Sequence, residues 1–108
     1  MMKLIHIIEE KTWQTIKSHQ QYYSDSLKEQ GFIHCCLPDQ VDFVLNNWFS
    51  GRRDMILLEI DSERLNAHLV FENLEGGEDM FPHIYGPLNM DAVIAWHPSG
   101  IKKDELHG

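Results

Sequence analysis

The order of the periodic segments limits what this chain can fold into more than any other feature. Apolar residues recur with helical spacing only in the first half, and short strand-like runs crowd the second. Residues 10–19, EKTWQTIKSH, set Trp13 and Ile16 three apart on one side of a helix. A second helix opens near Pro38, whose missing N–H costs little in a first turn, and Asp39 adds a carboxylate near the positive helix end. Val41, Val44, Leu45, Trp48 and Phe49 then follow i, i+3, i+4, i+7, i+8, the spacing of a packed face, and Gly51 is placed to end the helix. Around these lie the strand runs KLIHII, GFIHCC, MILLEID, HLVFEN and DAVIAWH. The polar and aromatic stretch 20–28 reads as a loop, 74–79 (LEGGED) as a flexible acidic loop, and FPHIYGPL (81–88) as a stiff corner between two prolines. The order β-α-β-α-β-β-β predicts an α+β domain with mainly antiparallel sheets and two early helices, rather than a doubly wound parallel sheet.

A length of 108 residues suits one domain, 1–108, with one core. The net charge of −8 argues against nucleic acid as the main partner, because Lys and Arg must supply the affinity for a phosphate backbone. It leaves room for a small anionic ligand held by backbone N–H groups or histidines. No apolar run reaches membrane-spanning length, and the N-terminal run meets acid too soon for a signal peptide. Cys35 and Cys36 are adjacent and make a poor disulfide framework, which predicts reduced thiols and a cytoplasmic setting. The string KDEL near the end is followed by two more residues and reads as chance. Nothing in the sequence fixes the oligomeric state.

Three of the seven histidines interrupt apolar or stiff segments: His6, His34 and His83. Each is explained singly by a backbone hydrogen bond in a core. Together they point to one shared polar cleft, which satisfies them at once. His68 starts a strand and reads as surface; His19, His97 and His107 lie in helix-end or terminal contexts. Glu72 is the acidic candidate, since its strand is apolar and the loop beyond leads to His83. Tyr85 falls in the stiff segment with His83, Tyr23 lies in the loop, and Gln40 sits at the margin of the helix stripe near His34. The sequence has no Gly-rich phosphate loop, no dinucleotide fingerprint and no paired-cysteine zinc signature. A His34/His83/Glu72 metal site lacks any supporting spacing, so no metal is predicted.

The segments LIHII, GFIHCC with Gln40 following, LLEID, FEN, and FPHIYGPL with AVIAW resemble the family catalogued as domain of unknown function 952, across nearly the whole chain. The Ser usual after GFIHC stands here as Cys36. The resemblance implies an ADP-ribosyltransferase-like fold, in which two small antiparallel sheets form a cleft able to hold NAD. It brings no established reaction. It places His6 where the His-Tyr-Glu branch of that superfamily carries its ribose-binding His. Tyr85 or Tyr23 would be the aromatic wall and Glu72 the acceptor on the ribose. RNA 2′-phosphotransferases share the superfamily; His34 and His83 suit that chemistry, whereas the few arginines do not.

The expected function is therefore a nucleotide-binding cleft with NAD as the candidate ligand, acting as an ADP-ribosyltransferase-like or glycohydrolase-like enzyme. Its catalytic residues would be His83, Glu72 and Tyr85, with His6, His34, Gln40 and Tyr23 binding the ligand. The alternative is a non-catalytic module that holds a small anion or nucleotide through the same histidines. A third reading makes the chain an interaction domain with a structural His-rich corner.

Overall fold

A computed structural model describes residues 2–73, 77 and 79–100. The tail containing KDEL and most of the loop 74–79 lie outside the described residues. The elements in order are β1 (Lys3–Glu9), α1 (Glu10–Ile16), β2 (Gln21–Tyr22), α2 (Asp25–Gln30), β3 (Ile33–His34) and α3 (Val41–Trp48). Then come β4 (Met55–Asp61), β5 (His68–Glu72), β6 (Phe81–Tyr85), β7 (Leu88–Asn89) and β8 (Val93–Pro98). They form two three-stranded sheets, β1-β4-β8 and β3-β6-β5, and a small β2-β7 pair. Every strand pairing is antiparallel among the described residues. The α+β class with antiparallel sheets is thus as expected.

The first sheet is apolar on both faces, which is why KLIHII and MILLEID show no clean polar alternation. Leu4 and Ile8 point one way along β1, and Ile5 and Ile7 the other. Leu4 packs with Ile33, Ile60, Ile84 and Leu88. Ile8 joins Trp13, Ile16, Ile56 and Leu58. On the opposite face Ile5 meets Cys36, Val41 and Leu57, so α3 covers that side. With Asp61 at the strand end, Glu59 is an exception in β4. It is 5 % exposed, and it bonds Lys3 Nζ at 2.9 Å and the imidazole of His97. Burial pushes its carboxyl up, but the hydrogen bonds from His97 and Lys3 outweigh that and hold it below the usual range.

Several expectations need correction. The stretch 20–28 is not simply a loop: it holds β2 and the first four residues of α2. Ser24 caps that helix by accepting from Leu27 N at 3.0 Å, and Gly31 ends it at φ 91°, a left-handed conformation glycine tolerates. Two good caps form a short helix that has little apolar periodicity. Among the described residues there are therefore three α-helices early, not two. The first ends at Ile16 rather than at residue 19. The second expected helix starts as a 3-10 turn, Pro38–Gln40, and continues as α3. Val41 is buried in it, but Trp48 is 51 % exposed and does not join the core. His97 lies in β8, at the end of the expected strand run DAVIAWH.

FPHIYGPL is not a corner either. Its first five residues are β6, the central strand of the second sheet. A proline there removes a ladder donor. The Pro82 carbonyl accepts from Cys35 N at 3.1 Å, so its absent N–H faces the same neighbour. There β3 is already leaving the sheet: its ladder covers only Ile33 and His34, and Cys36 bridges to Ile5 of β1. The proline therefore forfeits little. Gly86 follows at φ 154°, where an added Cβ would lie 2.8 Å from the Cβ of Ala67. A side chain at Gly86 would collide with that neighbour.

Cys35 and Cys36 are buried, unpaired thiols. Burial pushes Cys36 up to about 12 and Cys35 well above its ordinary value. A thiol-reactive chromophore should release almost no signal from the native protein at neutral pH, and both thiols should react after denaturation. Rapid reaction of either in the native state would contradict this packing. Among the described residues no helix is long and apolar enough to cross a membrane.

Candidate functional site

Strand alternation divides β6 into two faces. Ile84 points into the core with Ile33 and Leu4. Phe81, His83 and Tyr85 point the other way. The register aligns Val70 with His83 and Glu72 with Phe81, and places His34 opposite His83. Glu72 and His34 therefore share the face of His83. The polar residues of three strands are gathered by register alone on the side of the sheet away from the aliphatic core.

Glu72 is the centre of the cluster. Its Oε1 accepts from His83 Nδ1 at 2.9 Å and from the Tyr85 hydroxyl at 2.5 Å. A carboxylate can only accept, so Nδ1 carries the proton, and Nε2 is the His83 nitrogen left for a ligand. Glu72 Oε2 accepts no hydrogen bond from another described residue. The hydrogen bonds from Tyr85 and His83 hold the Glu72 carboxyl below its usual range, and the reciprocal bond pushes the Tyr85 phenol up. Phe32 stacks on His83 at 4.3 Å and lies 5.3 Å from Tyr85. It also meets His34 edge-on at 4.9 Å. His83 is 3 % exposed and Tyr85 38 % exposed, so the cluster runs from the protein interior to its surface.

A cavity of about 230 Å³ opens on this cluster. Glu72, His83 and His34 supply its polar wall; Cys35, Val44, Trp48, Phe49 and Phe81 supply the apolar one. This is where the half-exposed Trp48 faces. A second, wider groove of about 710 Å³ lies beside it, with His34 and Phe49 in the walls of both. His6, Tyr22, Tyr23, His19 and Lys28 line the groove.

The expected site residues therefore divide between two adjoining hollows. Glu72, His83 and Tyr85 are bonded together, and His34 stands at the junction, exposed rather than buried. Its Nε2 bonds Gln30 Oε1 at 2.8 Å. His6 does not reach the cluster; it borders the groove with Tyr23. His6 Nδ1 donates to the His34 carbonyl at 2.6 Å, which fixes Nε2 as an acceptor. That Nε2 is buried without a hydrogen-bond partner among the described residues. Burial lowers the His6 pKa to about 4, so the ring is neutral.

Gln40 lines neither hollow. Its Oε1 accepts from Leu37 N at 2.9 Å and its Nε2 donates to Met80 O at 3.0 Å. It ties the start of the α3 segment to the residue before β6. Gln40→Ala should lower stability by about 1–2 kcal/mol, the cost of two such bonds at a half-exposed position. Ligand affinity should change less than stability; a thermal melt beside a binding titration checks this.

Sequence reasoning passed over several residues that the geometry brings in. Phe32 was visible only as an apolar strand residue, and its stacking on His83 follows from β3–β6 pairing. Trp48 carried a helical-core signal that concealed its place in a cavity wall. Lys28 and His19 gave no signal, since both lie in polar sequence. Among the described residues no group of three or more His, Cys, Asp and Glu side chains is arranged to hold a metal ion.

The fold and site define a small α+β protein with two three-stranded antiparallel sheets and a His–Glu–Tyr cluster on the sheet face turned away from the aliphatic core. The chain belongs to the family described as protein of unknown function (DUF952), which matches residues 7–96. It is similar to the crystal structure of protein CC0527 from Caulobacter crescentus, with 28 % identity over 89 % of this chain and 84 % of that one, at a TM-score of 0.77. The solution NMR structure of CC0527 is as similar, with 28 % identity, 91 % and 84 % coverage, and the same TM-score. No curated protein matches this chain.

Proposed function

We propose that this protein binds a nucleotide-like ligand across the two hollows and cleaves its N-glycosidic bond, with NAD as the candidate substrate. The observation that carries the reading is the carboxylate of Glu72, oriented by His83 and Tyr85 at the wall of an apolar cavity. Cleaving such a bond passes through an oxocarbenium-like state, whose developing positive charge an adjacent carboxylate stabilises. The bond to the base breaks, its electron pair leaves with nicotinamide, and water or another nucleophile takes the sugar carbon. The smaller cavity suits the departing ring and the wider groove the remaining sugar and phosphates. Their shared wall at His34 and Phe49 supports one ligand spanning both. Lys28 and His19 give the groove donors for phosphate, and the buried His6 acceptor suits a sugar hydroxyl. Two small antiparallel sheets are also what an ADP-ribosyltransferase-like cleft requires.

The test is release of nicotinamide from NAD by the purified protein, followed by chromatography, with and without candidate nucleophiles. Release that saturates with NAD supports the enzyme. NAD binding without release reduces the protein to a nucleotide-binding module, and absence of both contradicts the reading.

A further inference from the structure

We propose that the smaller cavity is a recognition site for a small organic cation, a quaternary ammonium or N-alkylpyridinium group. Its wall combines apolar and aromatic side chains, Val44, Phe49, Phe81 and Trp48, with the Cys35 thiol, the rings of His34 and His83, and one carboxylate, Glu72. The aromatic part is continuous beyond the cavity, since Phe43 stacks on Phe81 at 6.2 Å and meets Trp48 edge-on at 5.9 Å. Trp48 supports no core: its indole is half exposed at the end of α3, where burial would be the ordinary outcome for so large a side chain.

Other ligand classes fit this wall poorly. A neutral apolar ligand would strip water from Glu72 Oε2 and give nothing back. An anion would meet the carboxylate directly. A hydrated metal ion would surrender its water to a surface with few oxygen ligands. An organic cation is weakly hydrated, is attracted by ring faces, and finds its counter-charge in Glu72. The chain's net charge of −8 favours the same sign of ligand. The hydrogen bonds from Tyr85 and His83 keep the carboxyl charged at neutral pH. This inference goes beyond the nucleotide reading and does not depend on it, since it concerns one hollow and one charge.

The experiment compares cations with their carbon isosteres by NMR titration at about pH 8, where an ordinary imidazole is neutral. The pairs are 1-methylnicotinamide against 3-methylbenzamide, and choline against 3,3-dimethyl-1-butanol. At least one cation should bind about tenfold more tightly than its isostere, with shifts at the Trp48 indole and Phe81, a preference in the range cation–π contact supplies. The two pairs separate a pyridinium from an ammonium ligand. Glu72→Gln and, at a half-exposed position that tolerates change, Trp48→Leu should each reduce the preference. Equal affinity for isosteres, no binding of either cation, or a preference unchanged in both variants would overturn the proposal. Cation preference without any NAD binding would sink the nucleotide reading and leave this one standing; NAD turnover without cation preference would do the reverse.

Discussion

Glu72→Gln should slow nicotinamide release on the order of a hundred- to a thousand-fold, the scale of losing one preorganised electrostatic partner of a charged transition state. The substitution is nearly isosteric, and its carbonyl oxygen can still accept from His83 and Tyr85. The fold should therefore persist, with the melting temperature nearly unchanged. What disappears is the negative charge, and that charge is needed most as positive charge develops on the sugar. The loss should fall in kcat more than in KM. Tyr85→Phe should produce a smaller loss, since it removes one of two donors that orient the carboxylate. A Glu72→Gln variant with wild-type turnover would show that the carboxylate is not part of any chemistry here.

The second large effect is on stability in acid, and it comes from His6. Its folded pKa is about 4, against about 6.5 for an unperturbed imidazole, because burial disfavours the charged form. Above about pH 6.5 both states are neutral, and the group contributes nothing to the pH dependence. Below that the unfolded chain takes up a proton that the folded chain refuses, so stability falls as pH falls. At about 1.4 kcal/mol per unit the loss approaches roughly 3 kcal/mol by pH 4. Glu72 adds to the loss only at lower pH, as its depressed carboxyl is protonated. Urea unfolding across this range should show the slope in the wild type, and a flatter dependence between pH 6.5 and 4 in His6→Gln. Parallel curves for the two proteins would mean that His6 titrates as freely folded as unfolded.

The sequence made the β1 and β4 strands plain because their apolar runs are short, bounded and free of breakers. Alternation along KLIHII puts Leu4 and Ile5 on opposite faces, and each face meets its own core cluster. The cluster was legible in part for the same reason: His83 and Glu72 each interrupt apolar residues, and an interruption in a strand marks a face. Other features were hidden by local signals that tertiary structure overrides. Two prolines made FPHIYGPL look like a turn, and only the early departure of β3 lets Pro82 occupy a central strand. Helical spacing placed Trp48 in the core, but α3 ends there beside a hollow that no periodicity encodes. His34 looked buried because GFIHCC looked like a longer strand; with a ladder of two residues the side chain stays exposed. The separation of His6 from His83 is a matter of sheets, since β1 and β6 belong to different ones. Spacing along the chain carries no record of that. Glu59 was hidden as well, as its partners Lys3 and His97 come from strands at opposite ends of the sequence.

The most direct test of the account is an NMR titration of the protein with NAD, ADP-ribose and nicotinamide, read at assigned side-chain resonances. One ligand spanning both hollows should shift His34, His83 and Trp48 together with His6 and Tyr23 when NAD is added. Nicotinamide alone should move only the Trp48 and His83 side, and ADP-ribose mainly the His6 and Tyr23 side. NAD shifts confined to one hollow, or scattered over residues that line neither, would contradict the claim that the two form a single nucleotide site.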